Sequence, residues 1–69
     1  MEQDLREIIY ILEYCFEKPI EHSQVLRLQR LIANGVELPQ IVKAYGKTTK
    51  NADKPTVNYM LAILENQKN

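Results

Sequence analysis

The sequence predicts an all-α protein, a compact bundle of about four short helices making one domain over residues 1–69. Two observations carry this. Apolar residues recur at three- and four-residue steps in four successive stretches, the period of an α-helix. Helix-ending residues fall between those stretches, at Lys18-Pro19, at Asn34-Gly35 and in the polar run before Pro55. There is no alternating strand pattern, no internal repeat and no low-complexity segment.

The first helix is expected over about residues 4–17. Leu5, Ile8, Ile9, Leu12 and Phe16 form one stripe, which Ile11 and Cys15 widen. Pro19 ends it, because the residue before a proline is pushed towards extended geometry. The second helix spans about 22–34, with Glu21 or Ser23 available as cap. Its buried face is Val25, Leu28, Leu31 and Ile32, with Arg27 and Arg30 towards solvent. Gly35 can take the left-handed conformation that closes a helix and lets Val36 fold back on the last turn.

The third helix opens at Leu38-Pro39, where a proline is tolerated, and extends to about residue 50. Ile41, Val42, Ala44 and Tyr45 supply its apolar face. Beyond Gly46 the pattern fades into a polar stretch, so fraying or a mobile loop is expected there. The fourth helix covers about 56–67, capped by Thr56, with Val57, Met60, Leu61 and Leu64 facing the core. Connections this short favour roughly antiparallel neighbours.

Composition narrows the class. A chain of 69 residues builds one core, and with no Trp and one Phe it must fill that core with Leu, Ile and Val. A single cysteine, Cys15, cannot form an internal disulfide, which favours a reducing cytoplasm. The opening Met1-Glu2-Gln3-Asp4 is acidic where a secretory leader would be basic. No segment approaches the roughly 20 continuous apolar residues that span a bilayer, so no membrane partner is expected.

The net charge is zero but polarised. Residues 1–21 hold six acids against two bases, a balance of −4, and residues 22–69 hold seven bases against three acids, a balance of +4. Neutrality argues against a strongly electrostatic nucleic-acid binder, while the asymmetry permits a local basic patch.

Catalysis has no residue set to work with. His22, Cys15 and Ser23 are each the sole residue of their type, and His22-Ser23 at a helix start has no third partner. One His and one Cys cannot hold a structural metal. Gly35 and Gly46 do not make a phosphate loop. No enzyme, cofactor or metal is therefore expected. Glu13 and Glu17 share a helix face, for which a solvated acidic surface is the plain account and a docking face for a basic partner the alternative.

Lys43, Lys47, Lys50 and Lys54 follow at steps of four, three and four. If the third helix continues past Gly46 they form a basic ridge able to neutralise phosphates. Lysine is also the default residue of a solvated helix face, and that account stands beside the functional one.

At Tyr59-Met60-Leu61-Ala62-Ile63 the chain resembles the end of the DnaD-like domain of primosomal and phage replication proteins from Gram-positive bacteria. That family ends in a helix bearing Tyr-x-x-x-Ile-x-x-x-Trp. Tyr59 and Ile63 match, and Gln67 stands where the family has Trp. The similarity extends over about residues 10–67, through Phe16, Lys18-Pro19-Ile20, Asn34-Gly35-Val36 and Ile41-Val42-Lys43-Ala44. It implies a replication accessory module that binds single- or double-stranded DNA weakly, docks a replication-initiation protein, or does both. By position, the family's DNA contacts carry over to Tyr59 and Ile63, with Lys50 and Lys54 as the preceding basic residues and Gln67 at the tryptophan's place. Joined with the ridge read from spacing, the candidate DNA contacts are Lys43, Lys47, Lys50, Lys54, Tyr59, Ile63 and Gln67. The family normally carries a winged-helix domain ahead of this one, which implies an excised domain or a shortened relative. Core packing is the competing account of Tyr59 and Ile63.

The rival reading is a protein-interaction or dimerisation module without nucleic-acid affinity. It rests on the apolar surface of the first helix, broader than a small core needs, which would serve a homo-oligomer.

Overall fold

The computed structural model describes residues 5–66, and among these the only regular elements are four α-helices. They are α1 (Leu5–Phe16), α2 (His22–Ala33), α3 (Leu38–Asn51) and α4 (Val57–Asn66). The radius of gyration, 11.0 Å, is the value of about 11 Å expected for a globular chain of this length.

Each helix end has a local cause. At the start of α2 the Glu21 carboxylate accepts from the Gln24 amide, and the Gln24 side chain accepts from the Glu21 amide at 2.9 Å. Glu37 and Gln40 repeat this reciprocal cap at the start of α3, where Pro39 sits in the first turn. Glu21, rather than Ser23, is therefore the cap of α2. Its C-terminus closes through Val36 N–H to Leu31 O and Gly35 N–H to Ile32 O, both 3.0 Å, with Gly35 at φ +101°. Thr56 Oγ1 accepts the Tyr59 amide at 3.1 Å and starts α4.

α1 ends one residue before its expected limit because Glu17 turns to φ +57°, a left-handed conformation costly for a side-chain-bearing residue. Glu13 secures the following turn by accepting the Ile20 amide at 2.9 Å. It is half-buried and structural rather than part of a freely solvated acidic face.

α4 occupies the centre. Its backbone runs closest to α3 and α2, and Met60 and Leu61 are fully enclosed, with Val57 and Leu64 beside them. Burying side chains of this size contributes about 1.5–3 kcal/mol each. Ile8 and Leu12 of α1, Leu28 and Leu31 of α2, and Ile41 and Ala44 of α3 complete the core. An Arg27–Glu65 pair clamps α2 to α4 on the outside, with Nη2–Oε1 2.7 Å and Nε–Oε2 3.0 Å. Arg27 Nη1 and Gln24 Nε2 both donate to Asn58 Oδ1 at 3.2 Å. The hydrogen bond to Glu65 raises the Arg27 pKa above its ordinary value, against a smaller opposing effect of burial. Arg27 thus bridges two helices while remaining partly open to solvent.

The third helix does not fray beyond Gly46: it continues to Asn51. Thr48, a polar residue with 0% exposure, explains this. Its methyl lies in the core, while its hydroxyl donates to Ala44 O at 2.8 Å and so costs little to bury. Val42 departs from expectation in the opposite sense, being 57% exposed.

Two stability predictions follow from this packing. Met60→Ala removes a fully buried side chain from the central helix and is expected to cost about 2–5 kcal/mol, most of the stability of so small a domain. A cooperative thermal transition with Tm close to wild type would contradict that placement. Gly46 lies in mid-helix with open space where a Cβ would stand, so Gly46→Ala should stabilise the fold by about 0.5–1 kcal/mol, read as a higher Tm.

Candidate nucleic-acid interface

The continuity of α3 determines where the lysines go. Ile41, Ala44 and Thr48 face inwards, so residues 43 and 50 fall on the opposite side of the cylinder and residue 47 on the flank beside them. All three lysines are exposed. At 1.5 Å per residue the row is about 10 Å long. Lys54 is exposed too but lies past the helix, in the loop that also carries Asp53. The ridge therefore has three helical members, with a fourth lysine on the loop beyond.

Tyr59 projects from the neighbouring helix. Asn58 and Glu65 face α2, where Arg27 holds them, and Tyr59 lies about 100° round from Asn58, on the side turned away from α2. It is 41% exposed, with its backbone amide bound to Thr56. Core packing does not account for this ring. Ile63, one turn on, is half-buried and packs against the core, so the two motif positions have different surroundings. Gln67 lies outside the described residues. Tyr45, by contrast, is turned inwards: its ring meets Phe16 edge-to-face at 5.2 Å and its hydroxyl lies 3.5 Å from Cys15 O.

A second feature lies on the other side of α3. Ile8, Ile11, Leu12 and Cys15 of α1 and Leu38, Ile41, Val42 and Tyr45 of α3 line a groove of about 260 Å³ with no polar surface. Cys15 is half-buried there with a free thiol. Tyr10 and Tyr14, four residues apart on the outer side of α1, are 73% and 86% exposed. Sequence periodicity singles out neither tyrosine nor Val42 as a surface residue. Their one visible signal is that Tyr10 and Tyr14 fall outside the apolar stripe at a mutual spacing of one turn.

His22 and Ser23 are exposed in the first turn of α2. Among the described residues no three His, Cys, Asp or Glu side chains gather as metal ligands, and no helix is long and apolar enough to cross a membrane. No family model matches the chain, and no curated protein or solved structure matches it.

Tyr59→Ala should leave the fold intact, with a stability loss of no more than about 1 kcal/mol, because the ring is substantially solvated. Thermal unfolding measures this. A loss as large as that of a core truncation would mean that the ring is a packing element.

Proposed function

We propose that the chain is a DnaD-like replication accessory module that binds DNA weakly through the outer face of α3 together with Tyr59, and that it has no catalytic role. The observation that carries this reading is the unbroken course of α3 through Gly46 to Asn51, with Lys43, Lys47 and Lys50 exposed in one row. A row about 10 Å long is on the scale of a few successive phosphates of one strand. Lys54 extends the charge into the loop before α4. Neutralising phosphates releases condensed counterions, which gives affinity for any sequence.

Tyr59 adds a stacking surface of the kind that holds an unpaired base while lysines hold the backbone. In the DnaD-like motif this tyrosine is followed by an isoleucine and a tryptophan. Here Ile63 anchors the helix in the core, which leaves Tyr59 as the exposed aromatic of the motif. A cytoplasmic DNA intermediate of bacterial or phage replication is the corresponding ligand. A second reading, a protein-docking module without DNA affinity, is favoured by the apolar groove between α1 and α3.

Fluorescence anisotropy of labelled single- and double-stranded oligonucleotides separates the two. The DNA reading expects saturable binding whose log K falls with log salt at a slope of about −2 to −3.6, from three or four phosphate contacts. Replacing Lys47 and Lys50 by Ala should flatten that slope by roughly 0.7–0.9 per residue, and Tyr59→Ala should cost about 1–3 kcal/mol on single strands. A flat titration at low salt would remove DNA as a ligand of this domain and leave the docking reading.

A further inference from the structure

We propose that a second copy of this chain covers the groove between α1 and α3, in a two-fold arrangement that lays α1 of each protomer along α3 of the other. The inference names the occupant of the groove and is independent of whether the lysine ridge binds DNA.

Two observations converge on it. The first is where the apolar surface lies. Among the described residues six large apolar side chains are exposed, and four of them, Tyr10, Ile11, Tyr14 and Val42, belong to α1 and to the bank of α3 beside the groove. Ile11 and Val42 line the groove directly, and Tyr14 lies less than one turn from Ile11 on the outer side of α1. Ile11, Val42 and Tyr14 are neighbouring exposed apolar side chains along the groove, which is what an association surface requires, while Tyr10 faces away from it, beside Arg6 and Glu13.

The second is the charge of the two banks. Glu7 is exposed one turn before Ile11, on the same side of α1. Lys43 is exposed on α3, next in sequence to Val42 and about 100° round the helix from it. Pairing α1 with α1 would set acid against acid, and pairing α3 with α3 would set base against base. A two-fold operation that places α1 over α3 brings Glu7 against the partner's basic bank, twice. The charge polarity of the whole chain, −4 in residues 1–21 and +4 in residues 22–69, runs in the same direction. A second copy therefore supplies both the apolar band and the complementary charge that the groove needs.

Sedimentation equilibrium of the 69-residue chain over a dilution series tests the proposal. The mass should rise from that of the 8.1 kDa chain towards twice that value with concentration. Val42→Glu, at a solvated position, should keep the helical circular dichroism and weaken dimerisation by about thirtyfold or more. Glu7→Lys and Lys43→Glu should each weaken it by about fivefold, and the two together should restore it. A monomer mass up to millimolar protein overturns the proposal and leaves the groove to a foreign partner. So does a dimer that a folded Val42→Glu variant does not weaken. Failure of the charge-swapped pair to recover overturns the α1-on-α3 arrangement.

Discussion

Burial of α4 between α2 and α3 is the constraint from which the other features of this molecule follow. Met60 and Leu61 are sealed from solvent, and Val57 and Leu64 extend the same stripe over about two turns. A helix of ten residues is marginal alone, so its stability comes from this packing. The return effect is as important. Thr48 is buried at the end of α3 nearest the polar loop, which lets the core extend far enough to hold the lysine-bearing half of α3 in helical form. The Arg27–Glu65–Asn58 network works on the outer edge of the same seam. Because it is exposed to water and salt, it adds specificity of register more than energy.

α1 is held differently. Ile8 and Leu12 enter the core and Phe16 meets Tyr45, yet its backbone approaches the other helices only at isolated points among the described residues. Side chains bridge a wider gap there, and the gap is the apolar groove. A bundle with four short helices has too little apolar material to close every seam. The seam left open is the one whose rim carries exposed tyrosines and an exposed valine.

α3 consequently has three sides with three environments. One packs on α4, one borders the groove and one carries the lysines. Lys43 stands at the boundary between the last two, so a partner on the groove and a phosphate strand on the ridge would compete for it. Lys47, about 40° further round and away from Val42, would remain available to DNA in either case. If both proposals hold, dimerisation would bring two ridges into one particle while removing part of each, and salt dependence would report on both.

What the sequence by itself determined is the helical content and the inward faces. Four periodic stretches separated by Pro19, Asn34-Gly35 and Pro55 fall within a residue or two of the observed helices wherever the structure describes them. Leu28, Leu31, Met60, Leu61 and Leu64 are buried because periodicity is a local property that one strand of text preserves. The resemblance likewise drew attention to Tyr59, but only its position on α4, turned from the side that Arg27 occupies, decided that its ring is exposed. The tertiary structure alone decided the rest. Thr48 reads as a polar residue in a fading pattern, and becomes core because α4 passes beside it. Val42 reads as part of the apolar face of α3, and is left at the surface because α1 stands off from α3. Arg27 reads as solvated, and becomes a clamp because Glu65, 38 residues later, arrives opposite it. In each case a long-range neighbour outweighed the local preference, and long-range neighbours are what a one-dimensional pattern does not contain.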